Sequence, residues 1–194
     1  TAPISASIKS VVTKPIFVAG RINQPQIAEE ILKMGQADMC GMTRALISDP
    51  MMPRKAANGD LDDIRACVAC NQACIGHMLN ACSISCIQRP ETGRELQYAN
   101  ISKTKLKKSI LVAGGGPAGV KAACIAADRG HRVTLCEKSN SLGGQINLAQ
   151  SLPGRAEFGG IITNLNKELS KTTVSVRFNS FVNLDLIEEL APDV

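Results

Sequence analysis

The stretch SILVAGGGPAGVKAACIAADRGHRVTLCEKS, residues 109–139, carries four local signals in a fixed order. An apolar run predicts a strand, and a glycine-rich turn follows it. A segment ending before Gly130 predicts a helix, and a second apolar run ending at Glu137 predicts another strand. This order of strand, helix and strand predicts an α/β fold built on a parallel sheet.

The turn of this unit has the glycine spacing Gly114-x-Gly116-x-x-Gly119. Gly114 permits the tight turn, Gly116 lets the backbone approach a pyrophosphate at the helix N-terminus, and Gly119 lets helix and strand pack closely. The carboxylate of Glu137 can accept hydrogen bonds from both hydroxyls of a ribose, which favours an adenosine without a 2′-phosphate. Together these residues predict an adenine-dinucleotide site; the alternative is a tight turn that holds no ligand.

The chain after Glu137 continues the same alternation of elements. In SLGGQ, residues 141–145, two glycines let backbone amides reach the same dinucleotide, although a plain turn has the same composition. A helix within residues 153–171, a strand at 173–178 and a short helix in NLDLIEELAPDV follow, and the last leads toward a further strand.

A second α/β pattern lies upstream, between about Lys14 and Gly59. Short apolar runs predict buried strands, and Pro, Gly and Asp mark the helix ends. The predicted elements are a buried strand at 15–20, a helix from Pro25 that stops at Gly35, a buried strand at 37–42 and a helix over 48–59 capped by Asp49.

Polar residues follow both of these upstream strands. Gly20 and Arg21 end the first strand, and Thr43 and Arg44 end the second. Because ligands bind at the carboxyl ends of parallel strands, these residues predict a phosphate site built from backbone N–H groups and guanidinium forks. The alternative that both arginines are ordinary surface or ion-pair residues stays open on spacing alone.

Between the two α/β regions, a segment of twenty residues holds five of the eight cysteines. Four of them have the spacing Cys67-x2-Cys70-x3-Cys74-x11-Cys86. Three thiols in a tight loop and a fourth further on is a pattern that wraps a [4Fe–4S] cluster. The alternatives are structural zinc, which usually takes two paired Cys-x2-Cys knuckles, and a disulfide set. Cys82 lies outside the pattern and competes with Cys86 as the fourth ligand.

Composition restricts the remaining options. The 194 residues carry a net charge of +5, hydrophobic residues make up 44 %, and there are four Phe, one Tyr and no Trp. Scarce aromatics argue against a nucleic-acid partner, and the basic run KTKLKK at 103–108 is read as a solvated linker. No apolar run reaches the length of a membrane span, and no export signal is present, so a reducing cytoplasm is expected. Both ends look cut, which predicts an internal piece of a longer protein.

The whole arrangement resembles the bacterial 2,4-dienoyl-CoA reductase and trimethylamine dehydrogenase family. The resemblance begins near Lys14 and covers nearly all of the chain after it. The motifs that carry it are VAGRINQPQIAEEIL, DMCGMTRALISDP, CVACNQAC, CIQRPETGRE, GGGPAG and SLGGQ.

The resemblance implies an iron–sulfur flavoprotein with an FMN-binding TIM barrel of the old-yellow-enzyme type. A [4Fe–4S] segment follows the barrel, and then comes a domain that takes FAD and NAD(P)H, or ADP in the amine dehydrogenases. Matching residues are Gly20, Arg21, Thr43 and Arg44 for the FMN phosphate, Cys67, Cys70, Cys74 and Cys86 for the cluster, and Gly114, Gly116, Gly119, Glu137 and Gln145 for the dinucleotide.

The implied domain organisation has four parts. The end of the TIM barrel occupies residues 1–59, the cluster segment 60–94, a linker 95–108, and an incomplete Rossmann-like FAD/dinucleotide domain 109–194. The family's catalytic acids lie outside this sequence, so no catalytic residue is predicted and the piece alone is expected to be inactive.

The function implied by the resemblance is electron transfer between NAD(P)H and FAD on one side and FMN on the other, through the cluster, to reduce an activated C=C bond. The substrate would be a 2,4-dienoyl-CoA or an enoate, because the x3 and x11 spacings match the reductases; amine dehydrogenases typically show x2 and x12. Oxidative demethylation of a small methylated amine is one alternative, and a non-enzymatic zinc- and nucleotide-binding module is another. The expected partner is a small-molecule substrate, and a homo-oligomer is left open.

Overall fold

The structure, a computed structural model, describes residues 2–98 and 100–194. It is mixed α/β, as the sequence predicts, and it divides into two compact units, Thr1–Glu95 and Leu96–Val194. Each unit has a parallel sheet of its own among the described residues.

The first unit alternates short strands and helices. Its elements are α1 (Ala2–Lys9), β1 (Phe17–Ala19), α2 (Pro25–Lys33), β2 (Met39–Gly41), α3 (Thr43–Ser48), α4 (Met52–Ala57) and α5 (Ile75–Leu79), with a 3₁₀ turn at Leu61–Asp63. β1 and β2 pair in parallel, with α2 as the crossover. α2 begins at a proline in its first turn, and Gly35 beyond its end has a φ of +65°, as predicted.

The prediction that both strands of this unit are buried is wrong. Val18 is buried and packs with Ile22, Ile31 and Ala37, but Phe17 and Met39 are 66 % and 56 % exposed. Phe17 and Met39 are cross-strand partners, so they lie on one face of the sheet. An apolar run predicts a strand but does not say which of its two faces the fold covers.

The prediction of one helix over 48–59 capped by Asp49 is also wrong in its bounds. An additional helix, α3, occupies Thr43–Ser48, and α4 begins only at Met52. Asp49 lies between the two helices, where its Oδ1 accepts a hydrogen bond from the Met51 amide at 3.0 Å. Helix α1 was likewise not predicted; its first turn carries no acidic residue.

Asp49 instead anchors the chain that leads into the cysteine segment. Its buried carboxylate accepts the Lys55 ammonium at 2.7 Å and the Arg65 amide at 3.0 Å. Lys55 also donates to the Asp63 carbonyl at 2.7 Å. A buried charge with this many donors is compensated, and it fixes the backbone two residues before Cys67.

The second unit is built on a three-stranded parallel sheet in the order β3-β4-β5 among the described residues. Its elements, after α6 (Glu95–Tyr98) at the boundary, are β3 (Ser109–Ala113), α7 (Pro117–Asp128), β4 (Arg132–Cys136), α8 (Ile146–Ala149), α9 (Gly159–Ser170), β5 (Ser175–Arg177) and α10 (Leu184–Leu190), with a 3₁₀ turn at Ala156–Phe158. The predicted strands and helices of this region are present; α8 was not predicted.

The central strand β4 carries the core of this unit. Leu135 is fully buried and clusters with Val133 and with Val120, Ala123 and Cys124 of α7. The small side chains along α7 let this helix lie close to the sheet. The glycine turn leads into the N-terminus of α7, so the packing of α7 also fixes the position of this turn.

No helix in residues 2–98 and 100–194 has both the length and the apolar character that a membrane crossing requires.

The close packing of α7 against the glycine turn generates a testable prediction. A Cβ at Gly119 would overlap the Gly114 carbonyl oxygen, so we expect Gly119→Ala to lower the unfolding free energy of the second unit by about 2–3 kcal/mol. Chemical denaturation followed by far-UV circular dichroism measures this change.

Gly160→Ala is the matched control, because Gly160 also lies within a helix but a Cβ there meets nothing within 4 Å. It should stabilise the unit by about 0.5–1 kcal/mol, since alanine restricts the unfolded chain. Equal effects of the two substitutions would contradict the packing argument.

Candidate functional site

A pocket opens at the carboxyl ends of β1 and β2, and we call it the strand-end pocket. Its cavity has a volume of about 160 Å³. The four residues predicted as a phosphate site all line it, together with two residues of the cysteine segment: Gly20, Arg21, Thr43, Arg44, Cys67 and Ala69. Two strand ends that are far apart in sequence therefore meet at one site.

The backbone of the strand-end pocket is suited to an anion. Gly20 and Arg21 both have positive φ angles, 124° and 60°, so the backbone turns sharply where the chain leaves β1. Thr43 and Arg44 are the first residues of α3, where N–H groups have no intrahelical partner. These amides, a hydroxyl and two guanidinium groups form a donor set with the chemistry that a phosphate monoester requires.

A second cavity, which we call the cysteine cavity, is lined by four half-buried cysteines: Cys67, Cys70, Cys74 and Cys86. These are the four predicted ligands. Cys82 is exposed and does not line the cavity. Within the described residues, no three His, Cys, Asp or Glu side chains form a group suited to a single metal ion. The four predicted cysteines nevertheless line one cavity.

The loop from Cys67 to Cys74 has an unusual backbone. Ala69 and Asn71 take left-handed φ angles of 51° and 57°, which is rare for residues other than glycine. The Ala69 amide donates to the Cys67 sulfur at 3.4 Å. Hydrogen bonds of this kind to thiolate sulfur tune iron–sulfur centres.

Burial raises the pKa of the Cys67 thiol, and the Ala69 amide and the Arg44 charge oppose this shift in part. Negative charge on Cys86 and Cys74 would raise the pKa of Cys67 further, in the same direction as burial. Thiols held in this way lose their protons when a metal binds them.

The two cavities of the first unit share residues, which the sequence did not reveal. Arg44 and Cys67 line both. Asn23, which is buried, also lines the strand-end pocket and donates its side-chain amide to the Cys67 carbonyl at 2.8 Å. The position of Asn23, two residues after Arg21, could have suggested that it lies near the strand ends. Its hydrogen-bond partner Cys67 lies 44 residues further along the chain, which the sequence does not indicate.

The glycine turn of the second unit has an open side and a crowded side. Gly116 is the N-cap residue of α7, and a Cβ there would point into open space. At Gly115 a Cβ would overlap the Leu142 side chain, and at Gly119 it would overlap the Gly114 carbonyl. The crowded side packs on the protein, and the open side lies at the N-terminus of a 12-residue helix, where the N–H groups after Pro117 have no intrahelical partner.

Glu137 lies beside this turn and is only 6 % exposed. Its carboxylate accepts the Gly115 amide at 2.6 Å, the Ser139 amide at 2.8 Å and the Ser139 hydroxyl at 2.7 Å. These donors, those of Ser139 first, lower the pKa of Glu137 below its usual range. The carboxylate therefore stays ionised and acts only as a hydrogen-bond acceptor.

The SLGGQ segment contacts the glycine turn directly. The Gly143 amide donates to the Gly115 carbonyl at 2.8 Å, and a Cβ at Gly144 would lie 3.3 Å from the Gly116 Cα. Gln145 follows as the exposed N-cap residue of α8. The structure thus brings the predicted dinucleotide residues of both glycine motifs together around one turn.

Comparison with known families assigns each unit separately. Residues 4–63 match the family described as NADH:flavin oxidoreductase / NADH oxidase, and residues 109–175 match the one described as FAD dependent oxidoreductase. Neither match includes the four cysteines of the cysteine cavity, which lie between the two in sequence.

Individual relatives align over nearly the whole chain. It is 40 % identical to an NADH oxidase of Thermoanaerobacter brockii over 98 % of its length, and 38 % identical to an N,N-dimethylglycine/sarcosine dehydrogenase of Chromohalobacter salexigens over 98 %. The solved structure of a 2-naphthoyl-CoA reductase in complex with 2-naphthoyl-CoA superposes over 99 % of the chain with a TM-score of 0.91 and 34 % identity.

The chain spans 29 %, 28 % and 29 % of the lengths of these three proteins. The resemblance identified from the motifs is confirmed. The chain belongs to the 2,4-dienoyl-CoA reductase and trimethylamine dehydrogenase family of NADH:flavin oxidoreductases.

Proposed function

We propose that this chain is the cofactor-holding section of an iron–sulfur flavoprotein that transfers electrons from NAD(P)H to an activated C=C bond. The observation that carries the proposal is the shared wall of the strand-end pocket and the cysteine cavity, where Arg44 and Cys67 line both. A flavin phosphate in one cavity and a cluster in the other would therefore be held by neighbouring residues.

The first unit fits the end of an FMN-binding TIM barrel. Its two parallel strands and their crossover helix repeat the barrel unit, and the strand-end pocket lies at the carboxyl ends where barrel sites occur. Phe17 and Met39 are exposed on one face of the sheet, as expected for residues that a larger barrel interior would cover.

The cysteine cavity fits a [4Fe–4S] cluster better than a single zinc ion. The four thiols are spread around a cavity, only one Cys-x2-Cys pair is present in the segment, and Cys82 lies apart. When bound, such a cluster passes single electrons, and flavins exchange either hydride or single electrons.

The second unit fits the start of a Rossmann-like domain that binds FAD or ADP. The open amides at the α7 N-terminus would hold the pyrophosphate, and the ionised Glu137 would accept the ribose hydroxyls while repelling a 2′-phosphate. Gly143 and Gly144 bring a second backbone segment to the same turn.

Reduction of a C=C bond conjugated to a carbonyl group is the proposed direction, with an enoate or an enoyl thioester as the substrate class. The cysteine spacing and the relation to a 2-naphthoyl-CoA reductase favour it. Demethylation of a small methylated amine is the second candidate, favoured by the relation to N,N-dimethylglycine/sarcosine dehydrogenase.

A direct assay decides between the two. The full-length protein that contains this chain is purified anaerobically and tested for NADH or NADPH oxidation with enoates and dienoyl-CoA, and for dye reduction with sarcosine and dimethylglycine. We expect pyridine nucleotide oxidation that depends on the unsaturated acceptor. Activity with amines alone would overturn the proposed direction, and protein that binds zinc without iron or sulfide would overturn the redox function.

The cysteine cavity predicts which thiols hold iron. We expect four single substitutions each to remove most of the bound iron and acid-labile sulfide, because a cluster missing one thiolate is labile. They are Cys67→Ser, Cys70→Ser, Cys74→Ser and Cys86→Ser. Cys82→Ser is the matched control and should keep both, since Cys82 is exposed and lies off the cavity. Loss of iron in Cys82→Ser with retention in Cys86→Ser would reverse the ligand assignment.

Glu137 predicts a dependence of stability on pH. Its pKa is lower in the folded than in the unfolded chain, so its contribution is present above the ordinary glutamate pKa of about 4.3 and is lost as the pH falls through the folded value. Glu137→Gln should therefore lose less unfolding free energy than the wild type between neutral pH and pH of about 3. Urea unfolding at both values measures the difference.

The same substitution should weaken ADP binding roughly tenfold, because an amide accepts the ribose hydroxyl bonds less strongly than a carboxylate. Isothermal titration calorimetry reports this affinity. Glu188→Gln, at an exposed position of α10, is the control for loss of a negative charge.

An acid-induced loss of stability equal in Glu137→Gln and wild type would contradict the stability prediction, because the internal hydrogen bonds of Glu137 would then not hold it ionised.

A further inference from the structure

The wall between the strand-end pocket and the cysteine cavity contains a side-chain contact that neither cavity requires by itself. Nη1 of Arg44 donates to Oδ1 of Asn71 at 2.7 Å. Arg44 comes from the first turn of α3, and Asn71 lies inside the cysteine loop, next to Cys70. Arg44 therefore lines the strand-end pocket and, through Nη1, also contacts the cysteine loop.

The backbone at Asn71 makes this contact specific. Asn71 has a φ of 57°, a conformation that asparagine tolerates better than most side chains. The left-handed turn places its amide oxygen within reach of Arg44, and the Gly76 amide bonds the Asn71 carbonyl at 2.8 Å, which fixes the turn in place. The side chain is exposed, so the contact adds little to stability and is better explained by what it positions.

We propose that Asn71 is a positioning residue that orients Arg44 for the flavin phosphate, so that anion binding in the strand-end pocket and cluster binding in the cysteine cavity are coupled through this pair. The inference rests on the proposed function for the identity of the two ligands. Coupling of this kind is reciprocal. If phosphate binding changes the affinity for the cluster by some factor, cluster binding changes the affinity for the phosphate by the same factor.

Electrostatics give the coupling a sign. The positively charged Arg44 lines the cysteine cavity, so it would favour added negative charge at a cluster held there. A bound phosphate dianion neutralises that charge. Flavin phosphate binding should therefore lower the reduction potential of the cluster, and reduction of the cluster should weaken binding of the phosphate.

A double-mutant cycle tests the pair. Asn71→Gly removes the side-chain contact without straining the left-handed turn, and Arg44→Gln removes the charge. FMN and riboflavin, which lacks the phosphate, are titrated into deflavinated protein that has kept its iron and sulfide. We expect Asn71→Gly to weaken FMN binding roughly fivefold and to leave riboflavin binding unchanged, with no further loss in the Arg44→Gln background.

Asn179→Gly is the matched control, because Asn179 is another exposed asparagine with positive φ, at 51°, in the other unit. It should bind FMN like the wild type. Additive losses in the double mutant, or an equal loss of riboflavin affinity in Asn71→Gly, would overturn the proposal, because Asn71 would then not act through Arg44 on the phosphate.

A second measurement applies if Asn71→Gly fails to retain its cluster. The midpoint potential of the cluster, followed by electron paramagnetic resonance, is measured in Arg44→Gln, which keeps all four cysteines and Asn71. We expect a lower potential than in the wild type, and an unchanged one would contradict the coupling. Failure of the proposed function gives a different result from failure of the coupling. Wild-type protein would then contain no iron, sulfide or FMN, and this is measured before any variant is compared.

Discussion

The hydrogen bond from the Asn23 side chain to the Cys67 carbonyl is the contact on which the candidate site of the first unit depends. Asn23 is buried, and an unsatisfied amide or carbonyl group there would cost about 1–3 kcal/mol. The bond fixes the first cysteine against the end of the parallel strands. On the other side of Cys67, the Asp49 carboxylate holds the Arg65 amide. Two hydrogen bonds therefore fix the backbone where the cysteine loop begins, one from Asn23 and one to Asp49.

Defined in this way, the loop can hold conformations that an isolated chain would avoid. Ala69 and Asn71 have left-handed backbones, and such strain persists only where the surroundings over-determine it. The consequence is a wall in which Arg44 and Cys67 serve two cavities. A cysteine segment of this kind is shaped by the strand ends as well as by its own thiols, and the two sites of this unit are best regarded as one.

The second unit reaches its site by a different physical route. Its constraint is close backbone approach: the Gly115 amide bonds Glu137, and the Gly115 carbonyl bonds the Gly143 amide. Glycine is required where a Cβ would overlap a neighbour, as at Gly119. The buried strand β4 and the small residues of α7 hold this turn in place, so that the core and the candidate site are stabilised by the same packing.

The sequence by itself determined the α/β class, the order of most strands and helices, the glycine turn and the four cysteines, because each is a local pattern of spacing or of residue type. The family followed from the order of those motifs. Tertiary structure alone decided which faces are covered, as Phe17 and Met39 show, and that Asp49 anchors the cysteine segment rather than capping a longer helix. It also decided that Asn23, Arg44 and Asn71 join the strand ends to the cysteines, because such contacts link residues 27 to 44 positions apart, and no periodicity along the chain records them.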